Sequence, residues 1–285
     1  MARRMTRKSG PITVAIINMK GGVGKSTIAA LLCRHASVEQ RLDVLAVDLD
    51  PQANLSQAFM GGNYVTFLRE RRPSIVEIFN GYQPPRGRGR SPTPLSPADV
   101  VVSSRLGTDS LQLIPSRFDF SDNLISSLKP DPHILARFLA EHFQQKDLII
   151  IDCAPTESVL TRAAYHASGL ILVPVKPEYF ATIGFPLLQQ SLTLFRSENR
   201  GHQIDVSGVV INNGFYDGGN NGGPEKWRAM NEIRAEASNN SWPIFQQQIP
   251  FSRGFPKLMR GDYSYSGNAW QFRYFAEEYL GTLGL

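Results

Sequence analysis

No stretch of about 18 apolar residues occurs in this chain, so the sequence predicts no membrane-spanning helix. Cysteine is scarce. Cys33 and Cys153 are the only two, which excludes a disulfide framework and a CxxC redox pair. Each lies in an apolar stretch and is expected to be a plain buried thiol. The five histidines show no metal-ligand spacing, which argues against a zinc or iron site. Residues 1–10 are basic but lack the apolar stretch and cleavage site of a secretory signal, so a cytosolic protein is expected.

What is present is 285 residues, 42% hydrophobic and 19% charged, which suits one large globular domain or at most two small ones. The net charge is +5, and the sequence pI is near 9.3. A basic surface concentrates polyanions, so nucleic acid or anionic lipid is a plausible partner. A soluble surface that merely leans basic fits the charge equally well.

Hydrophobicity comes in short runs alternating with longer amphipathic ones. Residues 12–17, 44–47, 148–151, 170–175 and 206–211 are β-branched and almost wholly apolar, as in parallel strands buried on both faces. Residues 26–37, 134–143 and 186–195 have helical character. The alternation predicts an α/β fold with a mostly parallel central sheet and helices on both faces. Residues 83–97 read QPPRGRGRSPTPLSP, with five prolines and three arginines, and can continue neither a helix nor a central strand. They are expected to form an exposed insertion, serving as a spacer or touching nucleic acid. The expected organisation is one domain over residues 1–285, with a basic tail at 1–10.

The chemistry begins where the first strand runs into Lys20-Gly21-Gly22-Val23-Gly24-Lys25-Ser26-Thr27 and then a helix. A glycine-rich turn between strand and helix presents backbone N–H groups to phosphate oxygens, and the helix dipole adds to them. Lys25 is expected to neutralise β- and γ-phosphate oxygens, and the Ser26 hydroxyl to ligate Mg²⁺. Val47-Asp48-Leu49-Asp50-Pro51-Gln52-Ala53-Asn54-Leu55-Ser56 puts two carboxylates at a strand end, where open α/β sheets bind ligands. In Asp147-Leu148-Ile149-Ile150-Ile151-Asp152-Cys153-Ala154-Pro155 an apolar strand ends in a carboxylate, a Walker B arrangement in which Asp152 holds Mg²⁺ directly or through water.

An ordinary phosphate loop would have glycine at position 19; this chain has Met19 and, next to it, Lys20. The pattern K-G-G-x-G-K-[ST] resembles the deviant Walker A family, which includes ParA/Soj partition ATPases, MinD and the nitrogenase iron protein. The resemblance implies a P-loop ATPase fold, with Mg-ATP bound and hydrolysed slowly in a nucleotide-sandwich homodimer. Lys20 would reach the partner subunit's phosphates, Asp50 would orient the attacking water, and Asp48 would lie beside the Mg²⁺ shell with Ser26 and Asp152. Family members commonly have D-C-P-P or D-x-P-P after the Walker B strand, and Ala154 departs from that. Val173-Pro174-Val175-Lys176-Pro177-Glu178-Tyr179-Phe180 is similar to a stretch of the partition subgroup. Asn212 and Pro250 fall where the family cradles adenine.

Three members of different function compete. A MinD-like membrane-positioning ATPase needs a basic amphipathic C-terminal helix, whereas residues 269–285 carry Arg273 as their only cation beside Glu277 and Glu278. That end is expected to dock on the protein's own core. An iron–sulfur enzyme would need bridging cysteines, and a tyrosine kinase reading rests on irregularly spaced Tyr263, Tyr265, Tyr274 and Tyr279. The resemblance to short ParA forms favours nonspecific double-stranded DNA, a nucleoid-associated cytoplasmic location, and a separate centromere- or cargo-binding protein that stimulates hydrolysis. From residue 224 to 273 the cations are Lys226, Arg228, Arg234, Arg253, Lys257, Arg260 and Arg273, against Glu225, Glu232, Glu236 and Asp262. They form either a phosphate-contacting stripe, with Arg228, Arg253 and Arg260 as first candidates, or a solvated mixed-charge face.

Overall fold

An apolar run with no polar face must be covered on both sides, and the strands of this protein are. In the computed structural model, which describes residues 10–81, 95–103, 110–118, 131–178, 183–213, 223–255, 257 and 270–285, seven strands form one sheet. They are β1 (Ile12–Ile16), β2 (Val44–Asp48), β3 (Val102–Ser103), β4 (Leu111–Ile114), β5 (Leu148–Asp152), β6 (Leu170–Val175) and β7 (Asp205–Ile211). Their spatial order is β3-β4-β2-β5-β1-β6-β7. Every neighbouring pair is parallel except β3 and β4.

The helices are α1 (Lys25–Val38), α2 (Asn54–Met60), α3 (Asn63–Arg69), α4 (Ile75–Gly81), α5 (Pro97–Val100), α6 (Ile134–His142), α7 (Val159–Ala167), α8 (Gly184–Glu198), α9 (Pro224–Asn239) and α10 (Phe272–Thr282). Successive strand side chains point to opposite faces. Val14, Ile16, Val44, Ala46, Leu148 and Ile150 therefore pack with α1, α2, α3 and α10. Ala15, Leu45, Val47, Ile149 and Ile151 pack with α4, α6, α7, α8 and α9. The fully apolar strands thus serve two cores at once.

The final helix follows the expectation for the C-terminus. Phe272, Phe275, Ala276, Tyr279 and Leu280 of α10 are buried in the core shared with α1. The Glu278 carboxylate accepts the backbone N–H groups of Gln246 at 2.9 Å and Gln247 at 2.8 Å. Among the described residues no helix is long and apolar enough to cross a membrane. The basic tail and most of the Pro/Arg-rich insertion lie outside the described residues.

Candidate functional site

The loop between β1 and α1 is held from both sides. Asn18, fully buried, donates through Nδ2 to the Pro174 carbonyl on β6 at 2.7 Å and accepts the Lys20 N–H at 2.9 Å. Gly22 and Gly24 have φ values of 73° and 93°, the left-handed region that side chains other than glycine rarely enter. A Cβ at Gly24 would also lie 2.3 Å from Asn212 Nδ2, whereas Gly21 and Gly22 face open space. Helix α1 starts at Lys25 with no side-chain cap, so its first N–H groups are left for an anion. Val23 is buried and offers the loop backbone only.

Lys25 is buried, and its ammonium donates to the carbonyls of Asn18 and Lys20, each at 3.2 Å. Burial lowers its pKa, while Asp152, Cys153 and Asp50 act in the opposite direction. A cation held this way lacks strong partners and fits a phosphate. Lys20 has its Nζ 3.7 Å from Glu178 Oε2. Both cysteines are free buried thiols, as expected.

Three carboxylates meet the loop, with different surroundings. Asp48 and Asp152 end adjacent strands in register and are both fully buried. Asp48 is engaged within the chain. Its Oδ2 accepts the Ser56 N–H at 2.8 Å and the Ser56 hydroxyl at 2.6 Å, and Oδ1 accepts the Asp50 N–H at 3.1 Å. Neither oxygen of Asp152 has a hydrogen-bond partner of ordinary geometry. Burial pushes the pKa of Asp152 well up, the charge of Asp48 adds to this, and the nearby Ser26 hydroxyl offsets only part of it. Burial raises the pKa of Asp48 as well. The buried Asp152 carboxylate beside the Ser26 hydroxyl, with Asp48 next to it, is a hard-oxygen donor set that suits Mg²⁺. Asp50 accepts the Gln52 N–H at 2.8 Å and faces the loop.

Lys25, Ser26 and Asp50 line one cavity of about 640 Å³, with Gly21, Gly22, Gly24 and Thr27 on the side of the loop and Gln52, Asn54 and Gln57 on the side of Asp50. Asn212 is brought to the same place. Its Nδ2 donates to the Val23 carbonyl at 2.8 Å, and it bridges in parallel to Ile249, next to the buried Pro250. Asn212 therefore braces the phosphate loop. Arg228 and Arg253 are exposed, and Arg260 lies outside the described residues. Helix α9 carries Lys226, Arg228 and Arg234 against Glu225, Glu232 and Glu236, so its own charge is balanced.

Several residues of the site went unassigned in the sequence reading. Asn18 carried a signal there, as an amide directly after an apolar strand. Asn54 and Ser56 lay just after D-L-D-P-Q, but nothing local told them apart from ordinary helix starters. Glu178, read only as part of a similar stretch, pairs with Lys20.

Comparison with known proteins agrees with this geometry. The profile of a family described as an AAA domain (AAA_31) matches residues 12–205. An uncharacterized protein of Methanocaldococcus jannaschii, MJECL24, is 27% identical over 203 residues, covering 70% of this chain and 73% of that protein. The chromosome partitioning protein ParA of Myxococcus xanthus is 31% identical over 205 residues, covering 70% of this chain and 63% of that protein, just under two thirds of its length. A solved structure of a Cyanothece McdA variant in complex with ATP shares the fold, with a TM-score of 0.74 at 21% identity, over 96% of this chain and 97% of that one. On its sequence and its fold, the chain belongs to the ParA/MinD family of P-loop ATPases.

Proposed function

We propose that this ParA-family ATPase works as a nucleotide-switched dimer that binds nonspecific double-stranded DNA and positions a cargo. A centromere- or cargo-binding partner protein would stimulate its hydrolysis. The observation that supports the reading most is that Lys25, Ser26 and Asp50 line one cavity with the glycines of the phosphate loop, while the buried Asp152 lies near enough to interact with Lys25 and Ser26. Residues 1–285 are taken as one ATPase unit acting in the cytoplasm, on the nucleoid.

In this reading ATP lies with its phosphates on the N–H groups from Gly21 to Thr27 and against the Lys25 ammonium, with its base near Asn212 and Pro250. Bound Mg²⁺, held through Ser26 and Asp152 with Asp48 beside it, would supply charge neutralisation at the β- and γ-phosphates. Asp50 orients a water in line with the γ-phosphorus. A new P–O bond forms as the bond to the ADP oxygen breaks. Lys20 would leave Glu178 and meet the partner subunit's phosphates, stabilising charge as an arginine finger does.

DNA contacts are assigned to Arg228, Arg253 and Arg260. The assignment is supported by Arg228 lying in the first turns of α9, after β7, and by Arg253 lying just past the Asn212–Ile249 bridge. The test is filter binding to random DNA with ATP or ADP over a salt series. Affinity should need ATP and should fall by about 0.9 log unit per phosphate contact for each tenfold rise in salt. Replacing one contacting arginine should weaken binding on all sequences and reduce that slope by about one. ATP-dependent binding to anionic liposomes without any to DNA would replace this reading with a membrane-positioning one.

A further inference from the structure

We infer that Ser56 is a positioning residue for the hydrolytic step, holding Asp48 and, through it, the loop that carries Asp50. The inference rests on the ATPase reading above.

Asp48 ends β2 beside Asp152, away from solvent, and a carboxylate there must be held by donors. Two grips hold it. On one side the Asp50 N–H reaches Oδ1 at 3.1 Å; on the other, Ser56 reaches Oδ2 with its N–H at 2.8 Å and its hydroxyl at 2.6 Å. Residues 48–56 therefore form a loop closed on one carboxylate, and Asp50 rides on it, with its own Oδ1 on the Gln52 N–H at 2.8 Å.

The direction of the Ser56 hydroxyl is forced. Its oxygen accepts the Ser116 N–H at 2.8 Å, and an amide N–H can only donate. The single hydroxyl proton is thus left for Asp48. Ser116 is itself fixed, because its carbonyl accepts the Tyr64 hydroxyl of α3 at 3.2 Å. One serine therefore ties the nucleotide-facing carboxylates to the exit of β4 and to α3. Alanine at position 56 keeps the backbone grip, loses the hydroxyl grip and leaves the Ser116 N–H without its acceptor. Asp48 can then turn, and the Asp50 loop with it. A small displacement of a water-orienting group costs rate while leaving phosphate binding, made by the opposite wall of the cavity, in place.

The experiment compares wild type, Ser56→Ala, Ser56→Thr, Asp48→Asn and the Ser56→Ala/Asp48→Asn pair by single-turnover ATP hydrolysis and by calorimetric ATP affinity, with Asp50→Ala as reference. Ser56→Ala should lose about tenfold in rate, as expected for one charge-assisted hydrogen bond, and change ATP affinity by less than about twofold. Ser56→Thr, which restores the hydroxyl, should recover most of the rate. In the pair, Ser56→Ala should add little to Asp48→Asn, because both act on one carboxylate. If Ser56→Ala does not fold, Ser56→Cys, close in volume but a weak donor, should show the same loss of rate. Wild-type rates in Ser56→Ala or Ser56→Cys, losses that multiply with those of Asp48→Asn, or a parallel loss of ATP affinity would overturn the assignment. An Asp50→Ala variant as fast as wild type would instead remove Asp50 from the hydrolytic step and the inference with it, whereas a wild type that hydrolyses no ATP would overturn the ATPase reading beneath it.

Discussion

Lys25 shows how a single side chain is prepared for its ligand. It is buried, its pKa is lowered by that burial, and it donates to two loop carbonyls at 3.2 Å. Neutral carbonyls hold an ammonium weakly compared with phosphate oxygens, so ATP should displace them. Lys25→Ala should therefore lower Mg-ATP affinity by roughly tenfold to a hundredfold, the worth of about 1.5–3 kcal/mol for hydrogen bonds to a charged group. Calorimetry on the folded variant checks this, and equal affinity would remove Lys25 from the site. Asp48 and Asp152 make the complementary point. They share burial and strand position, yet one is fully engaged by Ser56 and Asp50 and the other meets only the nearby Ser26 hydroxyl. Identical residue types in register thus divide into a structural anchor and a candidate metal holder through their neighbours alone.

At the scale of elements, β7 and the α6–α7 packing carry two further expectations. Gly208 sits where β6 and β7 slip register, at φ 157°, and a Cβ there would lie 2.5 Å from the Phe245 ring and 3.1 Å from the Pro243 carbonyl. Gly208→Ala should cost about 1–3 kcal/mol through overpacking, measured by urea unfolding. His166 of α7 packs against His133 at 3.8 Å and Phe195 at 4.8 Å between ring centroids, with His202 at 6.0 Å. Burial first, then the neighbouring His133, His202 and Arg162, lower its pKa from 6.5 to about 4. The folded state then binds the proton less well than the unfolded state. This contribution to stability is complete above pH 6.5 and is lost as pH falls from there toward 4. His166→Phe should therefore lose less Tm than wild type between about pH 7 and pH 5; an equal drop would show that His166 is not the sensitive group. The strands of the sheet centre were legible because fully apolar β-branched runs have few other folds. Helix α1 was legible because the phosphate loop announces it. β3 and β4 were not: Val102–Ser103 is too short to show a period, and Gln112 interrupts Leu111–Ile114. The anchoring of Asp48 by Ser56 and Ser116 was likewise illegible, since the amide that orients the hydroxyl lies 60 residues away in sequence.

On the scale of the whole molecule, the proposed dimer would complete a nucleotide cavity that each chain builds in part. Lys20 pairs with Glu178 just before the phosphate loop, and Asp50 lines the same cavity of about 640 Å³ as the loop. In the dimer reading, the nucleotide's charge draws Lys20 of each subunit across to the other, so assembly depends on ATP and ends with hydrolysis. The most direct measurement is light scattering coupled to size exclusion, on wild type and Asp50→Ala, each with Mg-ATP and with Mg-ADP. If Asp50 orients the attacking water, as proposed, removing its carboxylate should leave binding intact and prevent the γ-phosphate from leaving. Asp50→Ala is expected to run as a lasting dimer with Mg-ATP and as a monomer with Mg-ADP, with wild type dimeric only while ATP remains. A monomer under all four conditions, with ATP shown to be bound, would contradict the account.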